Sequence, residues 1–66
     1  MQTLGKNFEN GNVVMLDTID MIDGYEYSVV IEHGYREVRE IDCKADYTLA
    51  RKIFDEEIIT MAKEMR

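Results

Sequence analysis

Apolar and polar positions alternate through the middle of the chain and switch to a longer period near its end. Residues 13–22 (VVMLDTIDMI) and 25–33 (YEYSVVIEH) are rich in β-branched and aromatic types and enclose Asp23 and Gly24. Such side chains fit a pleated surface, so both runs are expected to be strands. The Asp-Gly pair supplies the positive φ angles of a tight hairpin turn. With a two-residue loop at Asp23 and Gly24, Ile22 faces Tyr25, Thr18 faces Val29 and Leu16 faces Ile31. Val14, Leu16, Ile22, Tyr25, Tyr27, Val29 and Ile31 then share one face. A three-residue loop would instead bring Met15, Ile19 and Met21 beside Tyr25, Tyr27 and Ile31, because a one-residue slip exchanges the faces of a strand. Under both registers the odd-numbered residues 25–31 look inward.

His33 and Gly34 form a second turn candidate, and residues 35–45 (YREVREIDCKA) read as a third strand. Val38 is out of phase with Ile41 and Cys43, which calls for either a bulge near Arg39 or an exposed edge strand with charged side chains. From Asp46 the period becomes 3.6: Ala50, Ile53, Phe54, Ile58, Met61, Ala62 and Met65 line one side, opposite Lys52, Asp55, Glu56 and Lys63. A helix is expected, with Asp46 as N-cap and Lys63 and Arg66 at the negative end of its dipole. Residues 1–12 read as a loosely ordered arm whose Phe8 can dock on the core, ending in a turn at Asn10, Gly11 and Asn12. The expected fold is α+β with two layers: a three-stranded antiparallel meander over residues 13–66 packed against one C-terminal helix.

At 66 residues there is room for one core, since chains of roughly 60 residues bury only about 60 % of their unfolded surface. A stability of about 3–10 kcal/mol follows from roughly 0.05–0.15 kcal/mol per residue, which leaves little to support a strained active site. Small size therefore points toward dimerisation or work on a partner's surface. The start MQTLGKNFENGN has neither the basic nor the apolar region of a signal peptide, and no apolar run approaches membrane-spanning length, so a cytoplasmic protein without membrane contact is expected. The lone Cys43 cannot form an internal disulfide. The net charge of −6 is concentrated in residues 13–34, where Asp17, Asp20, Asp23, Glu26 and Glu32 occur without any Lys or Arg. That argues against direct contact with nucleic-acid phosphates and suits a basic protein partner.

Candidate chemistry is sparse. His33 and Cys43 are the single imidazole and thiol, but Cys43 is expected to face the helix as a small apolar group, and no catalytic residue is assigned. Asp17, Asp20, Asp23 and Glu26 recur every three residues, a step that alternates between the faces of a strand and does not match a calcium loop. No cofactor or metal is expected, because a phosphate-binding glycine loop and paired Cys or His ligands are missing. Arg51 with Asp55 and Lys52 with Glu56 are four-residue ion pairs. Ile59 stands among polar helix positions and, near Met61 and Met65, is a candidate partner contact. Tyr25, Tyr27, Tyr35 and Tyr47 suit half-buried strands or an interface equally.

In general make-up residues 13–66, with the stretch DYTLARKIFDEEI leading into the terminal helix, resemble the short accessory proteins of phages and mobile elements of low-G+C bacteria. The resemblance transfers no site residues. It implies that inhibitors of host or defence nucleases, including acidic anti-CRISPR proteins that occupy nucleic-acid sites, belong among the functions considered. The expected function is a non-catalytic protein-binding module, an inhibitor or regulator that presents Asp17, Asp20, Asp23, Glu26, Glu32 and Ile59 to a basic partner. The alternative is a structural domain that self-associates as a homodimer.

Overall fold

A computed structural model describes residues 2–34 and 37–64, so Met1, Tyr35, Arg36, Met65 and Arg66 lie outside the described residues. The chain runs β1 (Gln2–Asn7), β2 (Val13–Met21), β3 (Gly24–His33), β4 (Glu37–Asp42) and α1 (Tyr47–Glu64). The strands form one antiparallel sheet in sequential order, β1-β2-β3-β4, and α1 packs on one of its faces. The α+β class and the single C-terminal helix are as expected, but the sheet has four strands rather than three.

The additional strand lies in the segment expected to be a loose arm. Its burial is slight, with Leu4 alone half-covered, so its own sequence carries almost no strand signal. Backbone pairing to the free edge of β2 holds it in place, with Leu4 opposite Leu16 and Asn7 opposite Val13. The register shifts between Gln2 and Leu4, where the Thr3 and Thr18 hydroxyls meet. Phe8 does pack on the core. The following turn is tied by Gly11 N–H to the Phe8 carbonyl (3.0 Å) and Asn12 N–H to Asn10 Oδ1 (3.0 Å), with Gly11 at φ 90°.

The β2–β3 hairpin adopts neither expected register. Met21 pairs with Gly24 and Leu16 with Val29, so Ile22 and Asp23 form the loop and Gly24, at φ 145°, opens the returning strand. The glycine is required just after the loop rather than within it. A shift of two residues from the Asp23-Gly24 register preserves the faces, because side chains alternate with period two. Val14, Leu16, Val29 and Ile31 consequently remain inward, each fully buried. Tyr25 and Ile22, expected on that inward face, are exposed because the hairpin end runs past the helix.

In β4 the register with β3 is continuous, so the phase change at Val38 involves no bulge. Val38 faces away from the helix and is 66 % exposed. Arg39 takes the inward position beside Ile31 and reaches Glu57 of α1 (3.1 Å), a use for a charged residue at that phase. Ile41 and Cys43 complete the inward side.

The helix begins where Asp46 caps it, its Oδ1 accepting from Leu49 N–H at 2.9 Å. Ala50, Phe54 and Met61 are buried against the sheet, and Ile53 and Ile58 pack at their margin. Lys52, Asp55, Glu56 and Lys63 are exposed as expected, whereas Ala62, assigned to the apolar side, is exposed too. Arg51 and Asp55 form the expected ion pair (3.3 Å).

Two substitutions separate the covered face from the open one. Leu16→Ala, in the sealed layer, is expected to cost about 3 kcal/mol by urea unfolding, while Val38→Ala on the other face changes stability by less than about 0.5 kcal/mol. Removing the cap by Asp46→Ala should cost about 1 kcal/mol in the same assay.

Candidate functional site

Strand alternation distributes the acidic residues in a definite way. Reading across the sheet on the face away from α1, one row holds Asn7, Val13, Glu32 and Val38, and the next holds Gly5, Met15, Val30 and Glu40. The rows after these are Gln2, Asp17, Ser28 and Asp42, then Ile19 and Glu26, then Met21 and Gly24. Asp17, Glu26, Glu32, Glu40 and Asp42 therefore share this open face with Val13, Met15, Val30, Val38, Ile19 and Met21. No Lys or Arg occupies a described strand position there. Val30 and Ser28 are buried by their neighbours alone, and Met15 is half-buried.

Of the sequence-predicted residues, Asp17, Glu26 and Glu32 are brought together on the open face. Asp20 pairs with Tyr25 on the other face, beyond the helix, and Asp23 sits in the loop. Ile59 is 56 % exposed on α1, which covers the opposite side of the sheet, so it shares no flat surface with the carboxylates of the open face. Glu40 and Asp42 were missed by sequence reasoning, which read residues 35–45 only as a third, charged strand. Alternation alone, Val38, Glu40 and Asp42 against Arg39, Ile41 and Cys43, carried the signal.

The end of the β2–β3 hairpin is the other distinctive feature. Pairing of β1 with β2 stops at Asp17, and contact of the β4 end with β3 stops at Tyr27, whose N–H donates to the Lys44 carbonyl (2.7 Å). Beyond these points a two-stranded ribbon projects with no other described strand paired beside it. It carries Ile19, Met21, Ile22 and Tyr25, four of the eight exposed large apolar residues among the described ones, together with Asp20, Asp23 and Glu26. Exposed apolar residues gathered in this way mark interaction sites more often than isolated ones do. At its root Tyr27 meets Tyr47 edge to face (5.2 Å between ring centres), bracing the ribbon against the start of α1.

Other groups are committed locally. Cys43 is buried and its thiol donates to the Ile41 carbonyl (3.7 Å). Burial, reinforced by Asp42 and Asp46, pushes the thiol above its ordinary range, so it stays protonated at neutral pH. His33 lies at the far end of β3, about 20 Å from the level of Cys43 at 3.3 Å per residue. It lines a cleft of about 380 Å³ with Arg39, Glu57, Thr60, Met61 and Glu64, in which the Arg39 guanidinium is paired with Glu57. No cluster of His, Cys, Asp or Glu able to hold a metal occurs among the described residues.

Asp42 accepts from Lys44 N–H (2.9 Å) and pairs with the Lys44 ammonium (3.0 Å), fixing a turn in which Lys44 has φ 54°. The backbone N–H of Lys44, then its ammonium, holds the Asp42 carboxyl below the usual carboxylate range. The contribution to stability is thus present above the unfolded-state value and is lost as pH falls through the lowered folded value. In a carbon-detected NMR titration, Asp42 is expected to titrate below 3.8. Lys44→Ala should move that midpoint upward, and Lys44→Arg should leave it low.

Comparison with protein-family models, with curated proteins and with solved structures finds no match to this chain.

Proposed function

We propose that the protein is a non-catalytic binding module that recognises a basic protein surface through the β2–β3 hairpin and the open sheet face beside it. The observation that carries this reading is the coincidence of exposed apolar side chains with carboxylates, free of Lys and Arg, over residues 13–34. Charge of one sign accelerates encounter with an oppositely charged partner. Met21, Ile22 and Tyr25 supply the apolar and aromatic anchors that dominate affinity. Inhibition or regulation of a nucleic-acid-binding protein fits this chemistry, because such partners carry basic surfaces that an acidic module can cover. Among the described residues no helix is long and apolar enough to cross a membrane.

A self-associating domain is the second reading. Its supporting observation is the outer edge of β1, which no other described strand pairs. Light scattering at micromolar concentration separates the two: the binding-module reading expects a monomer, and a dimer that persists at high salt favours self-association.

The direct test replaces Asp17, Asp20 and Asp23 by Asn, and Glu26 and Glu32 by Gln, in one variant. It should keep its fold by circular dichroism while losing capture of basic proteins from a lysate. Met21→Ala with Tyr25→Ala should weaken capture at least tenfold, about 1.4 kcal/mol. Capture that survives the five neutralisations contradicts the proposal.

A further inference from the structure

The reading above leaves the form of the partner open, and the layout of the outward face narrows it. Along β2 the outward positions are Val13, Met15, Asp17, Ile19 and Met21. At about 3.3 Å per residue this stripe is about 26 Å long. Its only interruption is Asp17. The carboxylates lie to one side of it: Glu32 and Glu26 on β3, and Glu40 and Asp42 on β4. On the β1 side the neighbours are Asn7, Gly5 and Gln2, uncharged and short where Gly5 faces Met15. The surface is thus apolar along its axis, acidic on one bank and neutral on the other.

We infer that the partner element is a basic amphipathic helix that lies along the outward side of β2, with its Lys and Arg side chains turned toward β3 and β4. This inference rests on the proposed reading that a basic protein is the partner. A helix rises about 1.5 Å per residue, so the stripe matches about 17 residues, nearly five turns. From Val13 to Asp17 the stripe belongs to an interior strand flanked by both β1 and β3, so there the partner must engage side chains rather than add a strand. Helix α1 already covers the opposite face of the same sheet through Ala50, Phe54 and Met61. A second helix completes a three-layer arrangement in which both faces are sealed.

Charge excludes other occupants. With Asp42 paired to Lys44, a second copy placed face to face would still set Asp17, Glu26, Glu32 and Glu40 against the same four, and like charges so placed repel. Nucleic acid and anionic lipid surfaces carry the same sign as the face. An uncharged helix would strip water from Glu26 and Glu40 without pairing them.

The test uses the full chain, labelled with nitrogen-15, and three 18-residue peptides: a Leu/Lys amphipathic helix, a scramble of the same composition, and a Leu/Glu counterpart. The amphipathic basic helix should bind at least tenfold more tightly than the scramble, with amide shifts at Val13, Met15, Ile19, Met21 and Glu40. Ile19→Asp should weaken it at least tenfold, while Ile59→Asp on α1 leaves it unchanged, and both variants should keep native amide dispersion. If the scramble binds equally well, or shifts fall on α1 or only on residues 22–25, the helix inference is overturned while the basic-partner reading stands. If neither basic peptide binds at low salt, or the Leu/Glu peptide binds as well, both are overturned.

Discussion

The seam between α1 and one face of the sheet organises everything else in this protein. Val14, Leu16, Val29 and Ile31 are sealed beneath Ala50, Phe54 and Met61. At about 25 cal/mol per Å² of buried apolar surface, that layer supplies most of what can offset chain entropy in so short a sequence. Because a strand alternates its side chains, committing one face to the helix fixes the destination of every neighbouring residue. Arg39 goes to the helix side and pairs with Glu57, and Val38 goes outward. One helix can cover only one face, so the other is left to solvent or to a partner.

Two consequences bear on function. The outward face collects carboxylates from three strands without a described basic strand residue among them, and the β2–β3 ribbon extends past its flanking strands with its apolar side chains uncovered. Of these carboxylates Asp42 serves the fold through its pair with Lys44, while the ribbon end buries little. The imidazole and the thiol, by contrast, stand about 20 Å apart along β3, His33 at its end and Cys43 at the level of Tyr27. The thiol is held protonated by burial.

Much of this was legible before any coordinates. The 3.6-residue period with Asp46 ahead of it specified α1 and its cap, and Tyr27, Val29 and Ile31 of β3 gave the inward face correctly, whereas Tyr25 lies exposed beyond the helix. The hairpin register was not legible, because registers two residues apart bury the same residues and the hydrophobic pattern cannot choose between them. The glycine after the loop decided it. Strand β1 was hidden for a different reason: with only Leu4 half-covered, its conformation is imposed by pairing with β2 rather than by its own side chains. The acidic hairpin residues were evident in the sequence, but their company on the open face was not. Glu40 and Asp42 join Asp17, Glu26 and Glu32 only through the register of β4.

The claim that one face is sealed by α1 while the hairpin end stands free is tested most directly by residue-resolved native-state hydrogen exchange. Amides of Val14, Leu16, Val29 and Ile31 should exchange only through global unfolding, together with those of Ala50 and Phe54, while amides of residues 19–25 exchange through local opening orders of magnitude faster. Equal protection of residues 19–25 and the central rows, or exchange of α1 independent of the sheet, would contradict the account.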